Sequence, residues 1–355
     1  MLCVLCCCVF FLVVATRGEL LEERPVNFSA ENNATSRQLR LCDEATGRCW
    51  PSLWLLGAQK SATTSVHDAL TQHLKFCAAE VRGMNFGKAN FFAKESHAWF
   101  EYLIPRGVEV TESRDSKKKF FEDFTDLYQH DRIKDCRFGF IEATPQLHNL
   151  MTPLALRGVV PQWIRSEARY IAILREPISR SMSWFVHAKD FEDQKRCFWP
   201  CPAKLYERYE DYATCWTSRL YDPLHANDGL WPSVYARQID AWKHVVPRKH
   251  FLILQMDAVL DDWQAILETI ARFAGVDHKF MTETLTTNVQ LQVLNLRGGK
   301  TKKTISCQTR TLLNNFFDPW NDELYAMLAY DRARSRAPGL EPPFPPFKPI
   351  DCHNN

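Results

Sequence analysis

Four short runs of apolar, aromatic and β-branched residues are spaced through the chain: Leu53–Gly57, Phe138–Glu142, Arg169–Leu174 and Phe251–Gln255. Each precedes a stretch of helical character. After the first, Val66, Leu70 and Leu74 recur every four residues with Ala69 between them, which predicts a helix with one apolar face. Asp261–Ala274 reads as a helix that starts at Asp261 or Asp262 and stops at Gly275. Thr309–Ala329 reads as a longer helix interrupted at Asp318-Pro319, because proline lacks the N–H that the helix ladder needs. Strands alternating with helices predict an α/β fold, a parallel sheet flanked by helices.

The ends of the chain follow other patterns. Leu2–Ala15 is almost wholly apolar and shorter than the roughly 17–25 residues of a membrane span. It fits a signal peptide or a short signal-anchor over residues 1–16. Residues 17–49 are polar and contain the acceptor sequences Asn27-Phe28-Ser29 and Asn33-Ala34-Thr35, so they read as a luminal, glycosylated stem. A core domain is expected over 50–335, with a proline-rich extended tail over 336–355. These features point to the secretory pathway: a Golgi lumen or type II membrane location, or secretion after cleavage.

Composition narrows the function classes. The chain has 355 residues, 46% of them hydrophobic, and a formal charge of +2. A sizeable core is affordable, and a strongly basic nucleic-acid binder is excluded. Basic residues are instead local, at Lys117–Lys119 and at Arg297, Lys300, Lys302 and Lys303. Nine of the 13 cysteines lie beyond the leader, and in an oxidising lumen several pair. Cys42 with Cys49, and Cys197 with Cys201 or Cys215, are the local candidates. No paired C-x-x-C and no helical histidine pair is present, so no metal is expected.

The candidate chemistry begins where the first strand ends. Gly57-Ala58-Gln59-Lys60-Ser61-Ala62-Thr63-Thr64 joins an apolar strand to a helix. Unpaired N–H groups and the positive end of the helix dipole meet there, which makes an anion cradle. Lys60 adds a full charge; Ser61, Thr63 and Thr64 add hydroxyl donors. A nucleotide triphosphate loop needs G-x-x-x-x-G-K-[ST], and Lys60 stands too close to Gly57 for that. The spacing instead resembles the 5'-phosphosulfate loop of sulfotransferases, G-x-x-K-[SG]-G-T, with Ala62 in place of the last glycine.

A second segment follows the third strand: Arg175-Glu176-Pro177-Ile178-Ser179-Arg180-Ser181-Met182-Ser183. It matches the sulfotransferase pattern R-[DE]-P-x-x-R-x-x-S at every fixed position. Glu142-Ala143-Thr144-Pro145, Tyr235–Trp242 leading to His250–Asp257, and Thr309-Arg310 through Leu324-Tyr325 support a closer resemblance. From Ser52 to about Leu328 the chain resembles the Golgi carbohydrate sulfotransferases of the heparan sulfate N- and 3-O-sulfotransferase type. It is also similar to the N-acetylgalactosamine 4-sulfate 6-O-sulfotransferases.

The resemblance implies a single P-loop-like sulfotransferase domain that uses 3'-phosphoadenosine 5'-phosphosulfate as co-substrate, needs no metal, and takes a glycan or polysaccharide as acceptor. It implies that Lys60, Ser61, Ala62, Thr63 and Thr64 hold the 5'-phosphosulfate. Arg175 and Ser183 then hold the 3'-phosphate, and Arg297, Gly298 and Lys300 complete the donor site. Where related enzymes carry K-E-x-[HQ]-F-F, whose glutamate deprotonates the acceptor, this chain has Gly87-Lys88-Ala89-Asn90-Phe91-Phe92. Lys88 replaces the base. Glu142, at the end of a core strand, is the first substitute, followed by Glu80 and His97. Lys88 is itself a candidate, as a base with a depressed pKa or as an anchor for an anionic acceptor.

Overall fold

The computed structural model describes residues 41–42, 48–79, 119, 122–123, 125–126, 136, 138–145, 147–190, 201, 207–218, 229–285, 304–334 and 344–353. Its centre is a five-stranded sheet. In chain order the strands are β3 (Leu53–Gly57), β4 (Cys77–Ala78), β5 (Phe140–Glu142), β6 (Arg169–Leu174) and β7 (Phe251–Gln255). They lie in the order β4-β5-β3-β6-β7, and every pairing is parallel. Two further strands precede them, β1 (Leu41–Cys42) and β2 (Cys49–Trp50), which form an antiparallel hairpin.

Side chains alternate across the sheet as the period of two requires. Leu53 and Leu55 of β3, Ile171 and Ile173 of β6, and Leu252 and Leu254 of β7 face one layer. There they meet α1 (Thr63–Gln72) and α8 (Trp263–Phe273), through Val66, Leu70, Ile266, Leu267 and Ile270. Trp54, Leu56, Tyr170, Ala172, Leu174, Phe251 and Ile253 face the opposite layer. That layer holds α2 (Met151–Val159), α3 (Gln162–Glu167), α6 (Tyr235–Lys243) and part of α10 (Cys307–Arg334). Because both faces are covered, the interiors of the strands are apolar, with polar residues only at strand ends such as Glu142, Arg169 and Gln255. A third cluster joins α4 (Pro177–Asp190) and α5 (Tyr209–Thr217) to α10 around Trp216, Trp231 and Phe317. Among the described residues, two further α-helices are α7 (Met256–Asp261) and α9 (His278–Leu285).

Several expectations hold in detail. Asp262 caps α8, its side chain accepting from the Ala265 N–H at 3.1 Å, and Gly275 beyond the helix has φ +76°. Cys42 pairs with Cys49. Other expectations need correction. The long helix is not interrupted: α10 runs through with Pro319 inside it. Phe317, Leu324 and Leu328 are buried on either side of the proline, and their packing offsets the one ladder bond that proline removes. Cys201 bonds Cys215; Cys197 lies outside the described residues. Two long-range bridges also form, Cys77–Cys136 and Cys307–Cys352, spanning 59 and 45 residues.

The C-terminal residues 344–353 are extended and lie against the body. Their last element, β9 (Cys352–His353), pairs parallel with β8 (Ile305–Ser306). Most of the leader and stem region, residues 1–40, lies outside the described residues. Among those described, no helix is long and apolar enough to cross a membrane.

Candidate active site

In an open parallel sheet the ligand crevice forms at the carboxyl edge of the strands, where the connections change direction. Here β3 is the first strand of the sheet in the chain. The connection that follows runs outward to β4 at one edge, whereas β6 and β7 are added on the other side. The segments after β3 and β6 therefore flank the crevice. These two segments carry the two sequence motifs.

The loop after β3 is tightly built. Gly57 has φ +125°, and a Cβ there would lie 3.2 Å from the Gln59 nitrogen, with the Leu147 and Pro145 side chains at 3.5 and 3.6 Å. The loop is sewn to its neighbours on both sides. The Ala58 N–H donates to the Ile173 carbonyl at 2.7 Å, and the Leu147 N–H donates to the Leu56 carbonyl at 2.7 Å. Lys60 (φ 70°) and Ala62 (φ 60°) are left-handed. Left-handed residues leading into a helix N-terminus are the backbone of anion-binding nests. Helix α1 then begins at Thr63, and neither its N-cap residue nor its first turn supplies a side-chain cap or an acidic residue to offset its positive end. The Ser61 hydroxyl is fully buried and has no hydrogen-bond partner among the described residues. A buried hydroxyl of this kind beside a helix N-terminus fits an anionic ligand.

The segment after β6 reaches back to this loop. Arg175 Nη1 donates to the Lys60 carbonyl at 3.1 Å, across 115 positions of sequence. Its own carbonyl accepts from the Tyr235 hydroxyl at 2.8 Å. Glu176 caps α4, its carboxylate accepting from the Ile178 N–H at 2.9 Å and the Ser179 N–H at 2.6 Å. Burial raises the Glu176 pKa and these hydrogen bonds oppose the rise. Arg180 is fully buried one turn along. Its Nε donates to Ser233 Oγ, which in turn donates to the Pro177 carbonyl at 3.2 Å. Both Nη groups of Arg180 lack hydrogen-bond partners among the described residues. Ser181 shares a short hydrogen bond with the buried Tyr209 hydroxyl. Ser183 is half-buried further along the same helix.

Charges of both signs meet beside the crevice. Arg175 reaches the Lys60 carbonyl, Glu176 and Asp257 lie near enough to favour its charged form, and the buried Arg180 sits one turn beyond Glu176. Burial lowers the pKa of both arginines, yet a guanidinium keeps its charge in a protein. Burial, helped by nearby Arg180, pushes His148 down to about 4, so its ring is neutral at pH 7. Cations beside a helix N-terminus suit an anionic ligand.

Glu142 ends β5 beside the same edge and is buried, with 1% exposure. One carboxylate oxygen accepts from both the Thr144 N–H at 2.8 Å and the Thr144 hydroxyl at 2.5 Å. The adjoining Pro145 and Leu147 touch the Gly57 turn, so Glu142 and Lys60 belong to one packed unit. Lys88, Glu80, His97, Arg297, Gly298 and Lys300 lie outside the described residues. Among the described residues, no group of three or more His, Cys, Asp or Glu that could hold a metal ion occurs. Sequence reasoning quoted Arg180 only as a motif position and gave Tyr235 no site role. The five-residue spacing from Arg175 to Arg180 was a signal for the first; nothing local marked the second.

A family model described as "Sulfotransferase domain" matches residues 51–317. The chain is 22% identical over 339 residues to the bifunctional heparan sulfate N-deacetylase/N-sulfotransferase 4 of Mus musculus, covering 90% of this chain and 34% of that protein. It is 22% identical over 338 residues to the bifunctional heparan sulfate N-deacetylase/N-sulfotransferase 3 of Homo sapiens, with coverage of 90% and 34%. The chain thus spans about a third of the length of the curated relatives it matches. A solved sulfotransferase from Alicyclobacillus acidocaldarius superposes with a TM-score of 0.47 at 18% identity, covering 79% of this chain and 96% of that one.

Proposed function

The chain belongs to the sulfotransferase domain family, and on that premise we propose that it moves a sulfuryl group from 3'-phosphoadenosine 5'-phosphosulfate to a hydroxyl or amine of a glycan or polysaccharide. The observation that carries this reading is the contact between Arg175 and the Lys60 carbonyl. It brings two motifs 115 positions apart to one crevice. There one end of the donor needs a phosphosulfate cradle and the other needs a forked cation for its 3'-phosphate. The buried Ser61 hydroxyl and the N-terminus of α1 support the cradle.

In this reading Lys60, Ser61, Thr63 and Thr64 bind the 5'-phosphosulfate, while Arg175 and Ser183 bind the 3'-phosphate. The acceptor atom forms a bond to sulfur as the bond from sulfur to the 5'-phosphate oxygen breaks. Lys60 neutralises the charge that develops on that oxygen. Glu142 receives the acceptor proton. A glycan acceptor is drawn from the heparan sulfate enzymes among the relatives, and a Golgi or secretory location from the leader and the sequons. The second reading is a sulfotransferase-fold protein that binds donor or glycan with weak turnover, favoured by Lys88 standing where related enzymes carry a glutamate.

The test is transfer of labelled sulfate by the purified luminal domain to heparan, chondroitin and algal-type polysaccharides. Transfer that disappears in Lys60→Ala supports the enzyme. Binding of the donor product without transfer to any glycan supports the second reading.

A further inference from the structure

Residues 342–350 read Pro-Pro-Phe-Pro-Pro-Phe-Lys-Pro-Ile. Apolar side chains recur at every third position, the period of a polyproline II helix. The burial follows that period. Phe344, Phe347 and Ile350 are half-buried, whereas Pro345, Pro346, Lys348 and Pro349 are exposed. Proline restricts the free segment before it docks, so less entropy is lost on docking.

The half-buried face lies on an aromatic seat. The Phe347 ring is 6.1 Å from Tyr235 and 6.0 Å from Tyr325, and Phe344 lies 5.5 Å from Phe347 and 6.5 Å from Tyr325. Backbone contacts fix the register. The Phe347 N–H donates to the Tyr325 hydroxyl at 2.9 Å, the Gln255 amide donates to the Pro345 carbonyl at 3.3 Å, and Arg310 donates to the Ile350 carbonyl at 3.3 Å. The far end is tied by the β8–β9 pairing and the Cys307–Cys352 bridge.

One residue of that seat also belongs to the crevice. Tyr235 packs its ring against Phe347 while its hydroxyl donates to the Arg175 carbonyl at 2.8 Å. We propose that this C-terminal strap positions the donor-site arginine: Phe347 holds Tyr235, and Tyr235 holds the Arg175 backbone so that its guanidinium faces the donor. Phe347 and Tyr235 are positioning residues in this account, acting only through Arg175. The proposal rests on the reading of Arg175 as a donor-binding residue.

The test uses the full chain and calorimetric binding of adenosine 3',5'-bisphosphate, with donor KM and kcat measured in parallel. Phe347→Ala is expected to weaken binding about tenfold and raise donor KM to match, with kcat changed less than about twofold. Phe347→Leu, which keeps an apolar side chain on the seat, recovers most of the affinity. Tyr235→Phe keeps the ring and removes only the hydroxyl. It is expected to weaken binding about threefold to tenfold, and it serves if Phe347→Ala does not fold. In an Arg175→Ala background both effects shrink below about twofold, because the path they act through is gone.

Unchanged affinity in Phe347→Ala and Tyr235→Phe, with a clear loss in Arg175→Ala, overturns the strap alone. Equal losses with and without Arg175 overturn it as well, since they report general loosening. Unchanged affinity in Arg175→Ala overturns the donor reading on which the strap depends.

Discussion

Replacing Arg175 by alanine removes two interactions that a chosen pair of ligands separates. The first is the hydrogen bond from Nη1 to the Lys60 carbonyl, 3.1 Å long and part-buried. It steadies the cradle for any ligand bound there, and a bond of this kind contributes about 0.5–1.5 kcal/mol, or roughly twofold to tenfold in affinity. The second, under the proposed function, is a forked contact with the donor's 3'-phosphate. A charge-assisted pair in a partly desolvated crevice contributes about 2–4 kcal/mol, or roughly 30-fold to 1,000-fold. Adenosine 3',5'-bisphosphate should therefore lose roughly 70-fold to 10,000-fold in Kd on Arg175→Ala, the tether and the fork acting together. Adenosine 5'-phosphosulfate, which lacks the 3'-phosphate, should lose only about tenfold or less. Isothermal titration of both ligands against wild type and variant reads the difference directly. Equal losses for the two would refute the phosphate role and leave Arg175 as a loop tether only.

Glu142→Gln should lower sulfate transfer at least about a hundredfold with little change in product affinity, as loss of a general base does; equal falls in both would make Glu142 a brace for Thr144 and nothing more. Lys88→Glu is its companion: a gain in transfer, with Glu142→Gln fully active, would show that the chain uses another base. Gly229→Ala should destabilise the fold by about 2–4 kcal/mol, because Gly229 has φ +61° and an added Cβ would lie 2.1 Å from the buried Trp216 ring; urea unfolding measures it, and a change under about 0.5 kcal/mol would contradict the packing. Burial, with Arg169 and Lys249 nearby, pushes His250 down to about 4. The unfolded chain thus takes up a proton near pH 6.5 that the folded chain refuses, and stability should fall as pH drops from 6.5 towards 4. At pH 5 the loss from this residue is about 2 kcal/mol, and a His250→Gln variant should lose correspondingly less between pH 7 and pH 5 in the same urea assay.

The sheet was legible because its signals are local. Arg169–Leu174 and Phe251–Gln255 coincide with β6 and β7, since a buried parallel strand is an unbroken apolar run whatever its neighbours are. The local shape of the two motif segments was legible for the same reason, each being a strand end followed by a helix start. Their meeting at the Lys60 carbonyl was not, because it depends on strand order. Long-range partners escaped for a related reason: nothing near Cys77 or Cys307 in sequence marks Cys136 or Cys352 as its mate. The continuity of α10 past Pro319 is tertiary packing overriding local preference. The strap is a different case. Its period of three was present in Phe344, Phe347 and Ile350, but proline content alone suggested an extended tail.

The bridge between Cys77 and Cys136 has a consequence for how such enzymes diversify. Strand β4 has two residues, and its register on β5 is Cys77 against Phe140 and Ala78 against Ile141. Cys77 lies in β4 and Cys136 just before β5, so the bridge ties these two neighbouring strands together beyond their backbone pairing. The entropy of closing a loop grows only slowly with its length, about 0.6 kcal/mol per doubling. The bridge therefore holds β4 on β5 at nearly the same entropic cost whatever the length of chain between the two half-cystines. The two cysteines are natural cut points for exchanging that segment, and the β4–β5 register is what such a graft should leave unchanged.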